Sequence, residues 1–360
     1  MTFHKATAGY EDWLGGFGPL DAKGLVRKYE KMREAADPFG FFRGSYYRWA
    51  QLWPQVCGEL AAAPAVLAVG DLHVENFGTW RDSDGRLCWG VNDFDEADEL
   101  PYANDLVRLA ASVLFARKSP KPGGLDLVKF KPACAAILAG YDSTLRAGGD
   151  PFVLEERHAA LRALSSEIDT VAFWEKETAV LHAPAADPPA AARAALTASL
   201  PWAELKPEYR LRRPVGVGSL GKTRYLALAQ WGGGWVARDA KRVTPPATAW
   251  AAGESRPLRG AEAAAGAVRC HDPFYRVGPE WVTRRVAPHC SRVELGVGGT
   301  AEQATELLRS MGAEAANVHL GTAKAEAIRG DLASRAAGWL ADAAKAMEDA
   351  VAADGAAWRG

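Results

Sequence analysis

Cysteine is scarce. The five in 360 residues, Cys57, Cys88, Cys134, Cys270 and Cys290, are odd in number and never fall in a C-x-x-C pair. That pattern excludes a disulfide framework and points to reduced thiols and no zinc site. Long apolar runs are missing too. The longest, Leu60 to Val69, is broken by Pro64 and is too short to span a bilayer. The first residues, MTFHKATAGYEDW, lack the apolar core of a secretory signal, so a cytoplasmic protein without a membrane partner is expected. Charge of one sign is also lacking. Lys and Arg number 43 against 44 Asp and Glu, a net charge of −1, which removes the electrostatic case for nucleic acid. No tandem repeat or charge block is present. With 48% apolar residues, a chain of this length exceeds one small core, so two lobes are expected.

The chemistry concentrates between Ala65 and Ala97, AVLAVGDLHVENFGTWRDSDGRLCWGVNDFDEA. An apolar run, Val66 to Val69, turns at Gly70 into a loop carrying Asp71, His73 and Asn76. A second strand-like run, Leu87 to Val91, delivers Asp93, Asp95 and Glu96. The turn residues Asp82-Ser83-Asp84-Gly85 lie between them. This spacing predicts two short strands side by side whose acidic ends converge. Gathered carboxylates repel one another, and hard oxygen ligands of this kind suit magnesium.

The order Gly70-Asp71, His73, Asn76 and then Asp93 resembles the catalytic loop and metal-binding aspartate of phosphotransferases of the aminoglycoside and choline kinase type. The resemblance implies that Asp71 orients or deprotonates an acceptor hydroxyl. It implies that Asn76 and Asp93 hold magnesium, with Asp95 in reserve, and that Asp105 of PYANDLVRLAAS braces the loop. His73 is read as a structural brace. Two other readings remain open. Gly70-Asp71-Leu72-His73 also resembles the first motif of binuclear metallophosphatases, although the Asn-His pair those enzymes need is absent. The same polar residues can also serve only as turn caps and loop hydrogen-bonders.

Helical spacing marks 22–36, 103–118, 125–147, 158–181, 301–320 and 323–353, with an Ala- and Pro-rich crossing at 182–201. Asp37 to Gly44, with a proline, three aromatics and Arg43, reads as a rigid loop exposing a cation. Arg43 is either a phosphate contact or a salt bridge.

The second informative stretch is VGVGSLGKTRYLALAQWGGGWVARDAKR, from Val215 to Arg242. Gly216, Gly218, Ser219 and Gly221 fit a kinase glycine-rich loop whose backbone amides approach ATP phosphates. The same residues through Thr223 fit a G-x-x-x-x-G-K-T phosphate loop, or a plain glycine hairpin. Strand, glycine turn, strand favours the first. Taken together, PFGFFRG, AVGDLHVENFG, VNDFDEAD with DLVRLAAS, and VGVGSLG followed by RY resemble the uncharacterised bacterial family called domain of unknown function 2252, from about Pro38 to about His319. That resemblance implies membership of the protein-kinase-like superfamily and names no reaction. It places the phosphate-neutralising cation of the third strand at Arg238, where lysine is usual, with Lys241 close by. Glu262, in the Ala-rich helical stretch 259–269, is either the partner of that cation or a solvated surface glutamate.

The expected fold is therefore α+β, a two-lobe protein-kinase-like fold with a mostly helical large lobe and a small antiparallel-sheet lobe. The catalytic loop precedes the glycine loop, the reverse of the kinase order, so the fold is expected to be circularly permuted. Residues 1–205 would form the large lobe, 206–298 the small lobe, and 299–360 helices packing back on the large lobe. The expected activity is ATP- and Mg-dependent phosphotransfer to a small-molecule hydroxyl. The alternatives are a nucleotide-binding protein with little or no activity and an enzyme that transfers AMP.

Overall fold

The computed structural model describes residues 1–155, 157–165, 169–202, 204–212, 216–290 and 299–360. Helix α1 (Phe3–Gly15) buries Phe3, Ala6, Tyr10 and Leu14, one apolar stripe at helical spacing. On α2 (Ala22–Arg33) the buried stripe is Gly24, Lys28 and Met32, so a lysine stands where an apolar residue is usual. The expected loop at 37–44 is instead a short helix, α3 (Pro38–Gly44). Pro38 sits in the first turn, where no N–H is needed, and Asp37 caps the helix by accepting from the Gly40 amide at 3.2 Å. Arg43 is partly buried there in an ion pair with Glu75. Helix α4 (Tyr46–Val56) follows.

The strands β1 (Ala65–Ala68), β2 (Phe77–Arg81), β3 (Leu87–Val91) and β4 (Asp98–Pro101) form two antiparallel ladders. β1 pairs with β4, from Ala65 opposite Pro101 to Ala68 opposite Asp98. The turn at 82–85 closes β2 onto β3, not β1 onto β3 as the sequence suggests. The reason is that Phe77-Gly78-Thr79-Trp80-Arg81 is itself a strand, and its Asp82 side chain accepts from the amides of Asp84 and Arg86, at 3.1 and 2.9 Å. The acidic ends still come together, because β1 and β2 are joined by the Gly70–Asn76 loop.

Helix α5 (Tyr102–Ala116) is buried on every side except at Leu114, which makes it the axis of the main core. Helix α6 (Phe130–Ala147), strand β5 (Phe152–Val153, beside β3), and helices α7 (Ala159–Ser165), α8 (Thr170–Thr178) and α9 (Ala190–Ala198) lead to a second sheet. Its strands β6 (Glu208–Leu211), β7 (Arg224–Trp231) and β8 (Gly234–Arg242) are followed by α10 (Ala247–Ala252) and α11 (Gly260–Gly266), then by β9 (Arg276–Val277) and β10 (Trp281–Val286). The spatial order is β6-β7-β8-β10-β9, all antiparallel. Gly232 and Gly233, at φ 57° and 84°, supply the left-handed turn that folds β7 onto β8. One face packs Ala227 and Ala240 against α9. The other packs Leu226, Leu228 and Ala237 with the partly buried Phe173 and Trp174 of α8.

The chain ends in α12 (Ala301–His319), α13 (Ala325–Ser334) and α14 (Trp339–Arg359). The single helix expected at 323–353 is thus two, separated at Gly338, whose φ of 85° a helix cannot continue through. α14 lies against α4 and α5, and α12 against α6. The expected boundary at 298/299 and Arg213 to Val215 involve residues outside those described.

Candidate functional site

The loop from Val69 to Asn76 is held from below by one polar stripe on the otherwise apolar α5. Asp105, Arg108 and Ser112 lie three and four residues apart, on one helical face. Asp105 accepts from the amides of Val69 (2.7 Å) and Gly70 (2.9 Å) and faces His319 Nε2 at 3.1 Å. Arg108, fully buried, donates to Asp71 Oδ1 from Nε (3.0 Å) and Nη2 (2.7 Å), and stacks 3.5 Å from the Phe42 ring centroid. Ser112 Oγ accepts from the Val74 amide at 3.0 Å. His73 Nδ1 accepts from the Glu75 amide at 3.2 Å, which makes it part of the loop's own bracing. The sequence signal for Arg108 and Ser112 was available, as polar residues at helical spacing from Asp105 in an apolar run.

Asn76 ties the two acidic loop ends together. Its Nδ2 donates to the carbonyls of Asp71 and Asp93, both at 3.1 Å. The Asp93 carboxylate meets Lys241 Nζ at 2.9 and 3.2 Å and Arg284 at 3.4 Å, and Lys241 also pairs with Asp95. Arg224 and Asp239 extend this line of alternating charge across the sheet. Burial alone would raise the Asp93 carboxyl, but Lys241 and Arg284 outweigh it and hold the group well below the usual range. Asp95 moves the other way, raised first by burial and then by the charge of Asp93.

Lys241, and not Arg238, is therefore the β8 cation that reaches the acids. The two are three residues apart on a strand and so point to opposite faces. Arg238 donates to the Ser199 carbonyl at 2.6 Å, beside the end of α9, and lies over Phe274. Glu262, its expected partner, is on the surface and pairs with Arg259.

The glycine segment lies at the end of the β6–β7 hairpin, with an antiparallel strand after it. That arrangement differs from the strand and helix a G-x-x-x-x-G-K-T loop requires. Val217–Ser219 forms one 3₁₀ turn wedged against α2 and α3. Gly24 permits this, since a Cβ there would stand 2.8 Å from the Gly221 amide nitrogen. Gly218 and Gly221 line a cavity with Asp71, Glu96, Lys222 and Lys28, with about 490 Å³ of empty volume, part of it open to solvent. Gly216 and Ser219 do not line it. Burial lowers the Lys28 ammonium to about 8 and raises the Glu96 carboxyl to about 7. Tyr46, also on the wall, has a buried hydroxyl without a hydrogen-bond partner among the described residues. Asn76, Asp93, Asp95 and Lys241 are not among the residues lining it. Lys28 and Arg284 carry no mark in the sequence, because only the fold brings a lysine on a buried stripe to the cavity wall and an arginine in a strand to Asp93.

The charge repulsion expected among the acids is met within the protein by Lys241 and Arg284. A magnesium ion still fits the donor set, since it takes one or two protein carboxylates and keeps its other positions for water and phosphate. Asn76 Oδ1 and the Asp93 carboxylate are the two hard oxygens that would hold it. The tight cluster of three candidate ligands among the described residues is elsewhere, at Asp82, Cys88 and Cys270, where Asp82 is already engaged by Arg86.

Among the described residues no helix is long and apolar enough to cross a membrane. No curated protein and no solved structure matches the chain. A family model described as an uncharacterized protein conserved in bacteria (DUF2252) matches residues 21–187. Over that span, which takes in Asp71, Asn76, Asp93 and Arg108 and stops before Lys241, the chain is similar to this bacterial family.

Proposed function

We propose that the chain is an ATP- and magnesium-dependent phosphotransferase acting on a hydroxyl of a small molecule. The observation that carries this reading is the meeting of two distant segments. Asp71, Asn76 and Asp93 are locked together by one amide, Lys241 reaches Asp93 from the five-stranded sheet, and Gly218 and Gly221 line the cavity that Asp71 enters. Magnesium bound by Asn76 and Asp93 would supply positive charge to the nucleotide's phosphate oxygens. Lys241 adds positive charge beside Asp93. Asp71, with Oδ1 held by Arg108 and Oδ2 3.9 Å from His73 Nε2, would use Oδ2 to orient the acceptor hydroxyl and receive its proton. A two-lobe, circularly permuted kinase-like arrangement accounts for the order of these parts, since the sheet bearing the glycine segment follows the catalytic loop in the chain.

A second reading, nucleotide binding without transfer, draws support from Arg108, whose ion pair holds Asp71 and offsets part of the rise that burial gives its carboxyl. AMP transfer would use the same acids. Incubation with ATP, magnesium and a panel of hydroxylated metabolites, read by mass spectrometry, separates phosphate gain, AMP gain and no gain. Asp71→Asn is expected to abolish turnover and leave nucleotide binding intact. Turnover unchanged in that variant rejects the role given to Asp71.

A further inference from the structure

Asn92 and Phe94, the neighbours of Asp93, line a second cavity that Asp93 does not reach, with about 570 Å³ of empty volume. Its walls are largely aromatic and aliphatic: Trp80 from β2, Phe94, Tyr275 before β9, and Ala264 from α11. The rings of Phe94 and Tyr275 have centroids 6.4 Å apart. Across this space lies Arg269, its guanidinium carbon 4.0 Å from the centroid of Trp80 and 5.3 Å from that of Phe94.

Arg269 is a cation without an ion-pair partner among the described residues. Its Nη1 donates to the Val91 carbonyl at 2.8 Å. Among the described residues no carboxylate lies within ion-pair distance of it. Glu314, the acid whose charge acts on it most, is fully buried and accepts from the Val91 amide and from Asn317 Nδ2, both at 3.0 Å. Burial raises that carboxyl and so weakens the balance it offers. Asp272 shares the cavity, but its Oδ1 is used by the Phe274 amide at 2.9 Å. A guanidinium with one edge free, set among aromatic faces, matches a carboxylate attached to a flat ring.

We propose that this cavity binds a small planar organic acid, its carboxylate on Arg269 and its ring among Trp80, Phe94 and Tyr275. The site is separate from the proposed phosphotransfer cleft and does not depend on that reading.

Benzoate is the probe, and benzamide, of the same shape without the charge, is the control. Both are titrated into the full chain by isothermal calorimetry. Benzoate is expected to bind with a dissociation constant on the order of 1 mM, suited to a ligand of so few atoms, and benzamide at least about tenfold more weakly. Ala264→Phe fills the cavity from α11 while keeping Arg269, and should remove the benzoate signal. Equal affinity for the two probes, or no benzoate binding at tens of millimolar, overturns the proposal. So does a folded Ala264→Phe variant that binds benzoate normally. The comparison of the two probes on the unaltered chain needs no variant to fold.

Discussion

Replacing Arg108 with Met tests whether α5 holds the candidate catalytic loop through one ion pair. The guanidinium is completely buried and makes two hydrogen bonds to Asp71 Oδ1 and one to the Phe42 carbonyl, at 3.1 Å. Breaking a buried pair by removing one partner costs about 3–5 kcal/mol, because the remaining charge is left uncompensated. Here the remaining carboxylate keeps 21% of its side chain exposed, so water screens it in part and the lower end, about 3 kcal/mol, applies. Met fills the space over Phe42 and limits the packing loss. Asp71→Asn should cost about 1–2 kcal/mol, since the amide oxygen still accepts from Arg108. In the double variant no buried charge is stranded, so the sum of the single losses should exceed the double loss by about 2 kcal/mol. Urea unfolding at pH 7.5, followed by tryptophan fluorescence and checked with far-ultraviolet dichroism, measures all four corners of the cycle. Losses additive to within about 0.5 kcal/mol would refute the clamp.

Further tests address other parts of the account. Lys241→Met should remove the thermal shift caused by nucleotide, whereas Arg238→Met, on the opposite face of β8, should retain it; loss in both, or in neither, contradicts the assignment of the cleft cation. Burial raises the Glu96 carboxyl from 4.5 to about 7, so the stability from its protonated form is complete below pH 4.5 and lost as pH rises through 7. At 1.36 kcal/mol per unit this is at most about 3 kcal/mol. Glu96→Gln should therefore flatten the fall in urea midpoint between pH 5 and 8, and an unchanged slope counts against it. A Cβ at Gly312 would stand 2.0 Å from the Ile137 carbonyl oxygen, so Gly312→Ala should push α12 off α6 and cost more than about 2 kcal/mol. Gly330 on α13 has open space around it, and Gly330→Ala should instead stabilise by about 0.5–1 kcal/mol. Denaturation curves of the two variants shifting in the same direction would disprove the packing argument.

The helices were legible wherever an apolar stripe recurs at helical spacing, as in α5, α6 and α12. The β7–β8 hairpin was legible because Gly232 and Gly233 mark its turn. The pairing of β1 was not. A four-residue apolar run carries no information about which neighbour completes its ladder, and β4, with Asp98 and Glu99, does not look like a strand. At the candidate site, loop residues were readable from their types and order. Residues acting across the fold were less so: Lys241 and Arg238 are equally basic in the sequence, and only the phase of β8 against its neighbours separates them. The Pro38 error has a similar origin, since a proline breaks a helix in its interior and begins one at its first turn.

The most direct test of the proposed nucleotide cleft is the melting temperature of the full chain and of Asp93→Ala, with ATP, with and without magnesium. Ligand at a hundred times its dissociation constant stabilises by about 2.7 kcal/mol. With an unfolding entropy of about 2.1 cal/mol/K per residue, that raises the midpoint of a chain this size by about 3–4 °C. The account predicts that rise with ATP and magnesium together, little with ATP alone, and none in Asp93→Ala. An absent response at millimolar ATP, or one of equal size without magnesium and in Asp93→Ala, would contradict it.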